Sequence, residues 1–101
     1  MSPSVPVTYR ASARVRARTF DGELVLLDLE RDLQYAMNEI GAHVWAQATS
    51  GADADAIVRT LTGAYEVDAV EARADVGRIL GELVASGLLV QVEAGEGAGP
   101  G

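Results

Sequence analysis

The chain has 101 residues, 49% of them hydrophobic, and contains no cysteine. This length fits one domain with one modest core, and the lack of cysteine excludes a disulfide framework or a thiolate metal site. The net charge of −7, with no lysine, argues against a nucleic-acid-binding surface. The sequence shows no signal-peptide pattern and no apolar run long enough for a membrane span, so we expect a soluble cytoplasmic protein.

The two ends of the chain differ in composition from its middle. Prolines and serines mark the first residues, and a glycine-rich run marks the last. Such compositions are typical of flexible arms and tails. We therefore predict a flexible N-terminal arm over residues 1–11, a folded domain over 12–90 and a flexible tail over 91–101.

Residues 13–37 predict three short strands joined by tight turns. Asp21-Gly22 is a strong hairpin signal, and Glu30-Arg31-Asp32 forms the next turn, although it lacks a glycine. The second strand is apolar on both faces, which is typical of a central strand covered on both sides. The three strands predict an antiparallel meander. They are Ala13–Phe20, Glu23–Leu29 and Leu33–Met37.

The arginines Arg14, Arg16 and Arg18 alternate along the first predicted strand. Alternation places all three side chains on one face of a strand. A solvated face is the simpler interpretation of this pattern, because exposed charge is the rule at protein surfaces. A docking patch for another protein is the alternative.

After Met37 the hydrophobic period becomes helical, and three helices are predicted. Asn38, Asp53 and Asp68 are good N-cap residues for the three helices in turn. Ser50-Gly51 ends the first helix, and Gly87 is placed for a left-handed C-cap after the third. Three strands followed by three helices predict an α+β domain with a winged-helix-like arrangement.

The third predicted helix has three distinct sides. Its core stripe contains Ala72, Val76, Ile79, Leu80 and Leu83. One flank carries Glu71, Asp75 and Glu82 and is expected to face water. The other flank is small or apolar apart from one arginine, so we expect something to approach it closely, either the protein's own sheet or a ligand. This second flank consists of Val70, Arg73, Gly77, Gly81 and Val84.

The sequence offers little support for catalysis. His43 is the only histidine, and no cysteine or second histidine can join it in a nucleophilic or metal site. The acidic residues at the predicted helix starts complement the helix dipole without a metal. The sequence also lacks a phosphate-binding glycine loop and a dinucleotide fingerprint. We therefore predict no enzymatic activity, no cofactor and no metal.

The third predicted strand is an unprotected edge. The segment Leu33-Gln34-Tyr35-Ala36-Met37 contains no lysine or proline, which usually guard such edges. A strand of this kind can accept an added peptide strand, with backbone hydrogen bonds giving affinity and side-chain pockets giving sequence preference.

The same region resembles the PqqD-like family, the recognition domains of pathways that modify ribosomally made peptides. The similar residues begin with Gly22, continue through the strands and the first helix, and recur near the C-terminus. They cover about residues 13–90. They are Gly22, Leu26-Leu27-Asp28, Tyr35, Met37-Asn38, Gly41-Ala42, Trp45, Tyr65-Glu66-Val67-Asp68, Asp75-Val76 and Gly87-Leu88-Leu89.

The resemblance implies a winged-helix-like domain that binds the leader segment of a precursor peptide and presents it to a processing enzyme. Family members of this size occur in lasso-peptide pathways, beside a leader peptidase and a macrocyclase. By this match the leader adds to the third strand and lies against the third helix, where Arg73 could pair with a leader carboxylate. The expected peptide-binding residues are Leu33, Gln34, Tyr35, Ala36, Met37, Val70, Arg73, Gly77, Leu80 and Val84.

Two other functions remain open at this stage. A winged-helix transcription factor would need outward-facing basic residues on its recognition helix, whereas the third helix carries acidic ones. A self-associating assembly module would use the unprotected edge to pair with a second copy, giving an edge-mediated or swapped dimer in place of a monomer.

Overall fold

The computed structural model describes residues 7–93 of the chain. Four strands are followed by three helices and a last strand, which confirms the α+β class. The strands are β1 (Val7–Ala11), β2 (Val15–Phe20), β3 (Glu23–Asp28), β4 (Leu33–Met37) and β5 (Leu89–Glu93). The helices are α1 (Glu39–Thr49), α2 (Ala54–Ala64) and α3 (Ala69–Ala85).

Strands β2, β3 and β4 form the predicted antiparallel meander, in that order. Asp21 and Gly22 join β2 to β3 with φ values of 50° and 81°, as a two-residue hairpin turn of the primed type requires. The central position of β3 is confirmed. Its expected cover on both faces is wrong, because Leu26 is fully buried while Val25 and Leu27, on the opposite face, are only half-buried.

Side chains cap the three helices at the predicted residues. Asn38, Asp53 and Asp68 each accept a hydrogen bond of 2.8 Å from a backbone N–H in the first helical turn. Gly87 follows α3 with a φ of 74°, which confirms the predicted left-handed C-cap. Within the described residues, every helix is too short or too polar to cross a lipid bilayer.

Strands β1 and β5 form a second, two-stranded antiparallel sheet that was not predicted. Val7 pairs with Glu93 and Ala11 with Leu89, so the two ends of the folded region are bound to each other. The predicted boundaries at residues 12 and 90 therefore cut through this ladder: residues 7–11 and 91–93 are strand and not arm or tail. The remaining parts of the predicted arm and tail, residues 1–6 and 94–101, lie outside the described residues.

The hydrophobic core lies between the helices and the inner face of the meander. Trp45 of α1 is 6% exposed and belongs to this core. Helix α3 contributes the whole predicted stripe, from Ala72 to Leu83. Leu88 and Leu89 bring the chain after α3 back into the core, where both are almost fully buried.

Candidate functional site

Strand β4 is the free edge of the meander. It pairs with β3 on one side, and within residues 7–93 no strand pairs with its other side. Opposite β3, Asp28 faces Leu33, Leu26 faces Tyr35 and Leu24 faces Met37.

The hydrogen-bonding pattern of β3 shows which backbone groups of β4 are free. The Leu29 N–H donates to the Arg14 carbonyl, 3.0 Å away, so the backbone of Leu29 points toward β2. Backbone direction alternates along an antiparallel strand, so the backbone of Asp28 points toward β4 and meets that of Leu33. The same alternation turns Tyr35 and Met37 toward β3. The N–H and C=O groups of Gln34 and Ala36 therefore point outward, available to another strand.

The side chains of β4 alternate between the core-facing and the exposed face of the meander. Tyr35 and Met37 are half-buried and pack against the core, whereas Gln34 and Ala36 are exposed on the opposite face. Leu33 shares the inner face and is 47% exposed. The strand thus presents apolar side chains on its inner face and unpaired backbone groups along its edge.

A groove runs between β4 and α3 and encloses a cavity of about 180 Å³. A cavity near this size, lined by apolar side chains, holds one benzene-sized group. Its apolar lining combines Tyr35 and Met37 from the strand side with Ile79, Leu83 and Leu88 from the helix side and its C-terminal turn. The remaining lining residues are Ala36, Asn38, Gly41, Arg78, Glu82 and Ser86.

The flank of α3 that faces the groove is the acidic one, which corrects the predicted groove wall. Arg78, Glu82 and Ser86 recur every four residues and form the outer part of this wall. The residues expected there do not line the groove. Val70 is 82% exposed, Leu80 lies in the core, and Val84 is half-buried against the core.

Arg73 and Gly77 also lie on the flank of α3 turned away from β4. The guanidinium of Arg73 pairs with Asp55 of α2 at 2.8 Å, which shows that this flank faces α2. Gly77 is exposed, and a Cβ placed there would meet no described atom within 4 Å apart from the neighbouring backbone of its own helix. The close approach that the helical glycines suggested is therefore absent among the described residues.

The polar side of the groove wall carries charges of both signs. Arg78 lies between Asp75 and Glu82, with nitrogen–oxygen distances of 3.7 and 3.3 Å. All three side chains are substantially exposed, so these ion pairs contribute little to stability. Both signs of charge are consequently available to a polar group bound at the groove rim.

Asp28 and Arg14 form a partly buried ion pair at the β3–β4 turn. Arg14 Nε lies 3.1 and 3.0 Å from the two carboxylate oxygens of Asp28, whose side chain is 0% exposed. The same carboxylate accepts hydrogen bonds from the N–H groups of Glu30 and Arg31, each 3.1 Å away. These bonds shape a turn without glycine, in which Asp32 takes the left-handed conformation, with a φ of 57°.

Burial by itself raises the pKa of the Asp28 carboxyl. The hydrogen bonds from the Arg31 amide, Arg14 and the Glu30 amide, with the positive charge of Arg14, outweigh burial, and the net result is a pKa below the usual value. Asp28 is therefore ionised at neutral pH.

Arg14 consequently does not share an exposed strand face with Arg16 and Arg18. It precedes β2, and its side chain turns inward to Asp28 and Ser12. Arg16 and Arg18 are exposed on β2, as predicted for a solvated face. The docking role of that face stays a prediction.

The described residues contain no group of three or more His, Cys, Asp or Glu side chains that could hold a metal ion. His43 Nε2 lies 2.9 Å from Thr60 Oγ1, and its ring meets Tyr65 edge to face. These contacts join α1 to α2 and lie outside the groove lining. The site described above is suited to binding an extended chain through backbone groups and an apolar cavity.

Sequence reasoning found the strand wall but missed Arg78, Glu82 and Ser86 on the helix wall. Ile79 and Leu83 were expected in the core, where they lie, and their second contact with the cavity could not be read from a helical wheel. The spacing of residues 78, 82 and 86 on the side of α3 opposite Arg73 was a usable signal. Because these three residues are polar, this side of α3 was expected to face water, and the small-residue flank was predicted to line the groove instead.

Three comparisons with known proteins bear on this site. The family model described as "Coenzyme PQQ synthesis protein D (PqqD)" matches residues 23–89, from β3 to the start of β5. No curated protein sequence matches the chain.

Two solved structures are similar to this chain. TbiB1 in complex with the TbiA(beta) leader peptide is 26% identical with a TM-score of 0.73, and the match covers 79% of this chain and 93% of that one. A lasso peptide synthetase B1 complexed with the leader peptide is 22% identical with a TM-score of 0.76, covering 81% of this chain and 96% of that one. At this lower identity the second likeness shows the fold alone.

Proposed function

Because the chain belongs to the PqqD family, we propose that it binds the leader segment of a ribosomal precursor peptide and presents it to a processing enzyme. The observation that carries the proposal is the free edge of β4 beside an apolar groove. The similar TbiB1 structure is a complex with a leader peptide, which supports the same use of the fold here.

The leader would add to β4 as a fourth strand of the meander. The outward N–H and C=O groups of Gln34 and Ala36 would each take one backbone partner from the leader. Each of these hydrogen bonds would contribute about 0.5–1.5 kcal/mol net. Backbone pairing alone would therefore give modest affinity, and the groove must supply the rest.

Alternate leader side chains would point into the groove. A strand added to β4 directs every second side chain to the face that carries Tyr35 and Met37. One large apolar side chain, aromatic or branched aliphatic, would fill the cavity against Ile79 and Leu83. The leader residues on either side of this anchor would face the exposed side of the sheet.

We place no catalysis in this domain. Its role would be to hold the leader while a separate enzyme, such as a leader peptidase or a macrocyclase, acts on the precursor in a lasso-peptide-like pathway. The cytoplasmic location of this protein, where ribosomes release the precursor, stays a prediction.

Amide hydrogen exchange tests the proposal directly. The measurement uses ¹⁵N-labelled protein, with and without a synthetic leader from the precursor gene nearest to this one. Exchange at Gln34 and Ala36 should be fast in the free protein. Its rate should fall at least tenfold when the peptide binds, because only these β4 amides gain partners. The amides of Tyr35 and Met37, already paired with β3, are internal controls. Unchanged exchange at Gln34 and Ala36, with peptide bound elsewhere, would contradict strand addition.

The same unpaired edge gives a second copy of the chain a place to bind. Two β4 strands could pair antiparallel and would then compete with the leader for Gln34 and Ala36. Sedimentation velocity over a hundredfold range of concentration would detect such a dimer. If the dimer persists with saturating leader, self-assembly and not peptide capture is the function of the edge.

A further inference from the structure

Among residues 7–93, a direct polar contact joins the two walls of the groove at one end only. Arg31, in the β3–β4 turn, donates from Nη1 to the Ser86 carbonyl at the end of α3, 3.3 Å away. Within residues 7–93 no other hydrogen bond or ion pair joins the β3–β4 hairpin directly to α3 or its C-terminal turn. The Met37 end of the groove has no such link among these residues.

A second contact, through a partly buried arginine, lies behind the same end of the groove. Arg14 binds the Asp28 carboxylate at the start of the turn that leads into β4. Its guanidinium also lies against Gly87, immediately after α3, where an added Cβ would overlap Arg14 Nη2. One arginine side chain therefore touches the base of the strand wall and the end of the helix wall.

Backbone hydrogen bonds hold the residues around Arg14 to both sides. The Ser12 N–H donates to the Leu88 carbonyl, and the Leu29 N–H donates to the Arg14 carbonyl. The nitrogen–oxygen distance is 3.0 Å in both hydrogen bonds. Residues 12–14 thus form a spacer between the β3–β4 turn and the α3–β5 turn. Leu88 and Ser86, on the far side of this spacer, both line the groove.

From this geometry we infer that Arg14, Asp28 and Arg31 are positioning residues that set the separation of β4 and α3. None of the three lines the cavity, so they act on a bound peptide through the walls they hold. The inference rests on the proposed function, because it concerns the binding of a peptide in this groove. It assigns to the Asp28 carboxylate a role in recognition that is separate from any contact with the ligand.

A positioning role and a contact role have different kinetic signatures. When a groove is correctly shaped only part of the time, the apparent association rate falls with the competent fraction, while the dissociation rate of the bound state is unchanged. Loss of a direct contact instead raises the dissociation rate.

The test measures both rates by stopped-flow fluorescence with the leader used in the exchange experiment. Arg31→Met removes the guanidinium donors and keeps the apolar stem, and Asp28→Asn keeps the shape of the side chain but removes its charge. Arg59→Met is the matched control for the first, since Arg59 is exposed on α2, away from the groove lining. Ile57→Val, in the core portion of α2, controls for lost stability in the second. All variants are compared at a temperature where circular dichroism shows them to be folded.

We expect association to slow about threefold or more in Arg31→Met and tenfold or more in Asp28→Asn, with dissociation within twofold of the original rate. The two controls should match the original protein. Unchanged association in the folded variants would overturn the inference, and so would a loss carried by dissociation alone. If Asp28→Asn does not fold, Arg31→Met decides the question by itself. A failure of the unmodified protein to bind the leader would instead refute the proposed function.

Discussion

Two glycines of this chain show how differently the same residue can serve. Gly87 has a φ of 74°, and its lack of a side chain leaves room for the guanidinium of Arg14. Gly77 lies in the middle of α3, and within residues 7–93 no atom beyond the neighbouring helix backbone lies within 4 Å of where its Cβ would be. The first glycine is required by the local structure, whereas the second only weakens its helix.

Substituting alanine at these two positions should change stability in opposite directions. Gly87→Ala should lower the free energy of unfolding by roughly 1–2 kcal/mol from the left-handed backbone alone, and by more once Arg14 is displaced. Gly77→Ala should raise it by roughly 0.5–1 kcal/mol. Urea denaturation monitored by circular dichroism measures both. A tolerated Gly87→Ala would mean that Arg14 does not lie against this turn.

The buried carboxylate of Asp28 should make stability depend on pH in the acid range. Its pKa is lowered in the folded protein from an ordinary value of 3.8. The carboxylate therefore stabilises the fold fully above its unfolded pKa, and this contribution is lost as the pH falls through the lower folded pKa.

Asp28→Asn should accordingly be clearly less stable than the original protein at pH 7. The difference should shrink as the pH is lowered below about 4, because the protonated aspartate becomes equivalent to asparagine. Thermal denaturation from pH 2 to pH 7 measures the effect. A difference that is constant over this range would show that the charge of Asp28 does not contribute.

At the scale of elements, turns and helix caps were predictable from the sequence, whereas the orientation of α3 about its own axis was not. The hairpin at Asp21-Gly22 and the caps at Asn38, Asp53 and Asp68 depend on neighbouring residues, so short patterns identify them. The rotation of α3 depends on how it packs against both α2 and the meander. A helical wheel shows only the composition of each flank. By composition, the small-residue flank was the better candidate for a groove wall and the acidic flank was expected to face water.

Tryptophan placed on each flank of α3 should distinguish the two groove walls. Glu82→Trp fills the groove beside β4 and should weaken leader binding at least tenfold. Val70→Trp, on the opposite flank at an 82% exposed position, should leave affinity unchanged. Fluorescence anisotropy with a labelled leader measures both variants. The reverse result would restore the flank expected from the sequence.

At the scale of the whole molecule, the pairing of β1 with β5 closes the fold. Val7 and Glu93 lie at opposite ends of the described chain yet are partners in one ladder. Short windows of sequence cannot reveal such pairing, because each strand is defined by its partner. The prolines near β1 and the glycines after β5 also directed the prediction toward flexible ends.

Removing β1 should destabilise the whole domain. A chain that starts at residue 12 loses five strand pairs to β5 and the packing of Tyr9 on the core. We expect the free energy of unfolding to fall by roughly 1–3 kcal/mol, from lost apolar burial and lost hydrogen bonds. Denaturation of this chain is compared with that of one starting at residue 7. Equal stability of the two would mean that β1 is dispensable and the predicted boundary adequate.

The free backbone groups of Gln34 and Ala36 also bear on how this protein and its peptide can evolve. Backbone hydrogen bonds do not depend on side-chain identity. A leader residue that faces away from the groove can therefore change without loss of a hydrogen-bond partner in the strand. Insertion of a single residue is a different matter, since it turns the groove-facing side chains beyond the insertion to the opposite side. Natural leaders for this domain should therefore vary freely in residue type at alternate positions while keeping the length of the paired segment constant.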